Sequence, residues 1–231
     1  MCPALVSAGH TVIATGRTTQ KLAAVSEVRR IADLTDPLSV RMAMEGIDIV
    51  IHLAARAHVM DERSSNPLAE YRRINVDGTR IIAEAASEAG IKRLIFLSSI
   101  KVNGEQTFEK SYAASDTAAP EDVYGVSKAE AEEELKKVSV QTGLETVVIR
   151  TPLVYGPGVR ANFLSLMSLA NSGFPLPFGS ITKNRRSLIY IGNLVDILVT
   201  ATKHPAAGGQ IFLVRDGTDL STAKLVRLLR S

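Results

Sequence analysis

A doubly wound α/β fold, with helices on both faces of a parallel sheet, is what this sequence predicts. Short β-branched apolar runs alternate with longer stretches of helical periodicity along the 231 residues. That alternation is the pattern of parallel strands joined by crossover helices. The runs are continuous, as in Ile47–Ile51, rather than alternating, which marks strands covered on both faces. Gly90 and Gly143 stand where helices should end in a left-handed cap.

In chain order, residues 2–10 read as the back half of a helix. Strands follow over Thr11–Gly16 and Val28–Ala32, then a helix over Pro37–Glu45 and a strand over Ile47–Ala54. The apolar spacing predicts one long helix over Pro67–Ala89, closed by Gly90. The strand Arg93–Ser99 delivers Ser98 and Ser99 at its end. Gly104–Glu121 is polar and irregular, the character of an active-site loop. A helix over Asp122–Thr142, capped by Gly143, leads into the strand Glu145–Thr151. Residues 152–186 hold four of the nine prolines, so the chain changes character there and forms a separate lobe, with a helix over Ala161–Ser172. Strands over Leu188–Ile191 and Gln210–Arg215 flank a helix over Asn193–Lys203, and a last helix includes Leu225.

Composition narrows the function. At 45% hydrophobic the chain can fill one sizeable core and a small second lobe. No apolar stretch reaches the ~18 residues of a spanning helix, and residues 1–10 lack the basic start and apolar core of a signal peptide. The single cysteine, Cys2, forms no internal disulfide, which fits a reducing cytoplasm. His10, His52, His58 and His204 show no metal-ligand spacing, so no metal is expected. The net charge of +3 is spread over scattered basic pairs without interleaved aromatics. That argues against a nucleic-acid partner and suits a small anionic ligand such as a nucleotide diphosphate.

Chemistry is concentrated in Tyr124-Gly125-Val126-Ser127-Lys128 and in the Ser98-Ser99 pair. Residues four apart share a helix face. A lysine ammonium beneath a tyrosine hydroxyl favours the phenolate and should draw the Tyr124 pKa toward working pH. Ser99 can then hydrogen-bond the same substrate oxygen. Such a trio moves the proton of a secondary alcohol while a cofactor moves the hydride.

With these motifs the chain resembles the extended short-chain dehydrogenase/reductases, in their NAD-dependent nucleotide-sugar epimerase/dehydratase branch. Further matching segments are Asp33-Leu34, His52-Leu53-Ala54-Ala55, Asn75–Thr79, Arg150–Gly158 and Arg186–Leu194. The resemblance implies that residues 1–151, to which 187–204 return, bind the dinucleotide, and that 152–186 and 205–231 form the substrate lobe. It makes Ser99, Tyr124 and Lys128 catalytic. It gives cofactor contacts to Arg17, Asp33, Leu34, Leu53, Ala54, Ala55, Asn75, Tyr124, Lys128 and Pro152. Substrate contacts fall to Ser99, Asn162, Leu164 and Arg186. The activity implied is 4-epimerisation of a nucleotide sugar, a UDP-sugar in the leading reading, with NAD, and a homodimer through the helices over 67–89 and 122–142. Plainer readings stand beside some of these: Asp33 as a turn residue, Asn75 as a helix-surface polar group, Arg186 with Arg185 as a solvated pair, His52 as packing.

The sequence departs from the family pattern in three places. No G-x-x-G-x-x-G turn, the usual pyrophosphate cradle, occurs in it. The first strand and glycine turn are therefore expected to be absent, the C-terminal lobe incomplete, and NAD(P) binding by residues 1–231 weak. Arg17 stands where an acidic residue would bind the NAD ribose, which makes NADP possible and keeps open an NADPH-dependent 4-keto-sugar reductase. Leu153 occupies a position where many relatives carry Asn. A dehydratase is disfavoured, because no acidic pair follows Ser99. A non-catalytic remnant acting as a binding module is the rival from another class.

Overall fold

The computed structural model of the protein describes residues 1–18, 22–57, 64–159, 167 and 181–230. It divides into two compact units, one of Met1–Arg150 with Val195–Leu213, the other of Thr151–Leu194 with Val214–Ser231.

The first unit opens with a short helix α1 (Cys2–Ser7), then β1 (Ile13–Gly16), β2 (Glu27–Arg30), α2 (Pro37–Ala43) and β3 (Ile49–His52). It continues through α3 (Pro67–Tyr71), a π-helical segment (Arg72–Asp77), α4 (Gly78–Glu88), β4 (Arg93–Ser99) and a 3-10 turn (Ile100–Val102). Then come α5 (Val123–Thr142) and β5 (Glu145–Thr151), whose last residue enters the second unit. The unit is completed by β8 (Ile211–Leu213) and by most of α6 (Ile191–Lys203), which begins in the second unit.

One continuous sheet is not what these strands form. β1 and β2 pair in parallel, Ile13 opposite Glu27, as a two-stranded sheet. β3, β4, β5 and β8 make a separate four-stranded sheet in that order. Its β3–β4 ladder is parallel, Ile49 opposite Arg93 and His52 opposite Phe96, as is the β5–β8 ladder. Among the described residues no strand pairs with the free edge of β1 or of β3, and each sheet ends there. The consequence shows in burial. Ile49, Val50 and Ile51 are only partly buried, although their apolar run suits a strand covered on every side, whereas β4 and β5 are almost wholly buried.

The core of this unit lies between β4, β5 and the helices. α4 contributes Ile81, Ile82, Ala85 and Ala86; α5 contributes Ala131, Leu135 and Val138; Leu94, Phe96 and Val148 come from the strands. The α5 spacing of four then three places one apolar stripe on the sheet. Its ends are fixed by ordinary capping: Asp122 Oδ1 accepts from the Gly125 N–H at 2.6 Å, and Gly143 ends the helix at φ +78°.

The single helix expected over Pro67–Ala89 is instead interrupted. Asn66 caps α3 by accepting from the Ala69 N–H. The backbone then widens into the π-helical segment before tightening again at Gly78. A Cβ on Gly78 would stand 2.9 Å from Leu34 Cβ, so the helix approaches the turn after β2 closely only because that residue is glycine.

The second unit holds β6 (Leu153–Tyr155) and β7 (Leu188–Tyr190), paired in parallel, and α7 (Thr222–Arg230). Asp216 organises it by accepting from the Tyr155 hydroxyl, the Asn193 amide and the Tyr190 N–H. Leu188 and Leu225 form its small core. No described helix is long and apolar enough to cross a membrane.

Candidate active site

Ser99 ends β4, and its position follows from the strand's alternation. Ser98, one residue earlier, points into a buried network: its hydroxyl donates to Glu132 Oε1 at 2.5 Å. Arg150, from β5, donates to Glu132 Oε2 at 2.6 Å and to Asn103 Oδ1 at 2.9 Å, and the Asn103 amide donates to the Ala113 carbonyl. All four side chains are buried. Sequence reading missed this network; the one local signal was Glu132 standing a further turn beyond Lys128. Ser99 itself is 8% exposed and caps the 3-10 turn, its Oγ accepting from the Lys101 N–H at 3.3 Å.

The first turn of α5 lies against that 3-10 turn, and Gly125 permits it. A Cβ there would meet the Lys101 carbonyl at 2.9 Å and Pro120 Cβ at 3.2 Å. Tyr124 precedes this contact and Lys128 follows one turn on, sharing its face. The Tyr124 ring stands edge-on to Tyr71, centroids 6.3 Å apart, and the Arg56 guanidinium lies 5.3 Å above the Tyr71 ring. Lys128 is 2% exposed, its ammonium 4.0 Å above the face of Phe96.

Electrostatics correct one expectation. Lys128 does not draw Tyr124 down here. Burial pushes the Tyr124 phenol up to about 12, the Asp122 carboxylate adds to the rise, and Lys101 is the cation that opposes it. Burial also pushes the Lys128 ammonium down to about 7, with Glu132 partly offsetting the drop. His52 is driven to about 3 by burial and by the Lys128 charge. Its Nε2 contacts Thr79 Oγ1 at 3.1 Å and its ring packs on Phe96, so it is a packed neutral imidazole.

Asn75 is no surface residue. It is buried in the π-helical segment, accepts from the Arg56 N–H at 2.7 Å, and donates to the Arg56 carbonyl and to Ser127 Oγ. Ser127 in turn donates to the Tyr124 carbonyl at 2.8 Å. The wide turn thus joins the segment after β3, where Leu53 and Ala54 are exposed and Ala55 partly so, to the helix that carries Tyr124. Widened turns of this kind concentrate at functional sites. Nothing in the sequence distinguished it from a plain α-helix.

Asp33 follows β2 and acts as a turn residue, accepting from the Thr35 N–H and hydroxyl, which with Arg73 hold its carboxyl at about 2. The Arg73–Asp33 pair is about half exposed, so it contributes roughly 0–1 kcal/mol. Leu34 packs on the core beside Gly78. Arg17 follows β1 with an exposed side chain, its carbonyl accepting from Arg30 Nε. Pro152 and Arg186 belong to the second unit, where Arg186 pairs by its backbone with Leu220. Asn162 and Leu164 lie outside the described residues. The structure therefore brings Ser99, Tyr124, Lys128, Asn75 and the Leu53–Ala55 segment into one connected part of the first unit. Among the described residues no group of His, Cys, Asp or Glu could hold a metal ion.

Comparison with known proteins identifies the family. Residues 1–214 match the profile of the NAD dependent epimerase/dehydratase family. A UDP-glucose 4-epimerase of Vibrio cholerae is 50% identical over 200 residues, 86% of this chain and 61% of the relative. The Escherichia coli O157:H7 N-acetyl-alpha-D-glucosaminyl-diphospho-ditrans,octacis-undecaprenol 4-epimerase is 31% identical over 202 residues, 87% of this chain and 59% of that protein. The chain thus spans about three-fifths of the length of these relatives. The solved structure of MoeE5 in complex with UDP-glucose and NAD superposes with a TM-score of 0.81 at 27% identity, covering 98% of this chain and 75% of that one. A Ser–Tyr–Lys constellation at the end of a parallel strand and the start of the next helix, within a profile match over nearly the whole sequence, places this chain in the NAD dependent epimerase/dehydratase family.

Proposed function

We propose that this chain carries the dinucleotide-binding and acid/base portion of a nucleotide-sugar 4-epimerase that uses NAD and a UDP-sugar. The observation that carries the reading is the first turn of α5, seated by Gly125 against the turn that follows Ser99, with Lys128 buried on the Tyr124 face. The V. cholerae relative supports the substrate class.

The residues present fit the cofactor in chemistry. Leu53 and Ala54 offer an exposed apolar ledge at the C-terminal end of β3, the ligand side of such sheets. Asn75 holds the backbone just beyond it. Lys128 keeps donors for a ligand hydroxyl, because Glu132, the carboxylate one turn on, is committed to Arg150 and Ser98. NAD, when bound, supplies reversible acceptance of a hydride from an alcohol carbon. Tyr124 Oη takes the sugar C4 hydroxyl proton and gives it back. Ser99 Oγ hydrogen-bonds the same oxygen and holds it toward Tyr124. We assign the first unit to the cofactor and the second, with Pro152 and Arg186, to the substrate lobe. The protein acts as a homodimer, in the cytoplasm that its single cysteine suits.

A second reading rests on Arg17. Its exposed guanidinium at the end of β1 suits a 2′-phosphate, as an NADPH-dependent 4-keto-sugar reductase would need. Mixing the protein with NAD and a UDP-sugar, and separately with NADPH and a UDP-4-keto-sugar, separates the two. Epimerase activity interconverts C4 epimers without net consumption of NAD. Stoichiometric oxidation of NADPH would replace that reading with the reductase.

A further inference from the structure

The turn after Ser99 carries a charge cluster that this chemistry does not assign. Lys101 is the middle residue of the 3-10 turn. Its N–H donates to Ser99 Oγ. Its ammonium lies 2.6 Å from Asp122 Oδ2 and 2.7 Å from Glu105 Oε1. Asp122 is shared, because its other oxygen caps α5 through the Gly125 N–H at 2.6 Å. The Lys101 carbonyl also abuts Gly125. Two contacts of one residue, its ammonium with Asp122 and its carbonyl against Gly125, thus bind the Ser99 turn to the helix start that holds Tyr124. The ammonium has three donors and a point charge, which suits two separate carboxylates better than a planar guanidinium does.

The charged and titratable groups in the neighbourhood of Tyr124 come from several elements. Asp122 and Lys128 come from α5 and its cap, Lys101 and Glu105 from the turn after β4, Tyr71 from α3, and Arg56 from the segment after β3. Asp122 cannot be dispensed with, since it caps the helix, yet its carboxylate opposes ionisation of the neighbouring phenol.

We propose that Lys101 is a positioning residue: held between Asp122 and Glu105, it fixes the Ser99 turn against the first turn of α5 and balances the negative charge that the helix cap places beside Tyr124. The role rests on Tyr124 as the acid/base, but its test does not. Tyr124 is replaced by 3,5-difluorotyrosine, whose more acidic phenol titrates while the protein stays folded, and its ionisation is followed by fluorine NMR. Lys101→Met should raise the midpoint by about one pH unit, a tenfold change in the ionisation constant, as loss of an adjacent opposite charge does. Lys101→Arg should keep it within a few tenths of a unit. Asp122→Asn, which preserves a capping side chain, should lower it. The opposite signs of the Lys101→Met and Asp122→Asn shifts are a result that loosened packing alone would not give. An unchanged midpoint in Lys101→Met overturns the proposal. Should Lys101→Met not fold, an unchanged or raised midpoint in Asp122→Asn overturns it equally. Loss of activity in Tyr124→Phe reports separately on the role of Tyr124.

Discussion

Tyr124 and Lys128 are chemically meaningful because of where burial and charge leave them. The phenol is protonated at neutral pH, the form that can return a proton to substrate, and burial pushes Lys128 down to about 7. Replacing Tyr124 by Phe should lower kcat by ~10²–10⁴-fold, the range of a positioned general acid/base, with little change in KM; steady-state kinetics checks this. Lys128 also has a stability signature. Its folded pKa of about 7 lies well below its ordinary value. Between the two the unfolded chain binds one proton more than the folded protein, so stability rises with pH there, and below the folded value the full cost persists. Denaturant unfolding should therefore show that Lys128→Met stabilises most at pH 6 or below. That advantage should shrink by about 3 kcal/mol by pH 9, at about 1.4 kcal/mol per pKa unit. A pH-independent advantage would mean Lys128 is not desolvated as described. The Tyr–Lys spacing was legible in the sequence because it is local to one helical turn. The burial that dominates both pKa values was not, nor was Lys101, which lies 21 residues from the Asp122 it pairs with.

Elements are held in position by a few contacts between residues distant in sequence. At Gly125, alanine would gain about 1 kcal/mol of helix propensity, but its Cβ would press on the Lys101 backbone carbonyl. Overpacking of that kind costs typically ~1–3 kcal/mol, so Gly125→Ala should be net destabilising and should lower kcat by separating the Ser99 turn from α5. Thermal unfolding and kinetics read both effects. Arg150 joins β5 to α5 and to the loop after the 3-10 turn through Glu132 and Asn103. Arg150→Met leaves a buried carboxylate uncompensated and should cost ~3–5 kcal/mol; the Glu132→Leu/Arg150→Met double variant should lose less than the two single losses combined, in urea titrations. The bounds of β4 and β5 follow from the sequence, because continuous apolar runs fix the middle strands of a sheet. The helix over 67–89 did not resolve into its three parts. Its composition supports α and π turns equally, and what selects the wide turn is the bond of Asn75 to the Arg56 backbone.

At the scale of the molecule, β–α alternation was enough to give a parallel α/β fold, since crossover connections leave few other solutions. It did not reveal that the described strands of the first unit split into a pair and a set of four, because strand pairing is non-local and no run of residues records its neighbour. The function proposed was legible in the sequence to the level of a hydride-transfer site with a tyrosine acid/base. The choice between NAD epimerase and NADPH reductase was not, because Arg17 is a single exposed cation at a strand end. The most direct measurement is proton NMR of UDP-glucose and of UDP-galactose, each incubated with the protein and millimolar NAD. Epimerase chemistry predicts that either sugar yields the same mixture of C4 epimers, with no accumulation of NADH and with the conversion abolished in Tyr124→Phe. Unchanged sugars, or a change that appears only with stoichiometric reduction of NAD to NADH, would contradict it.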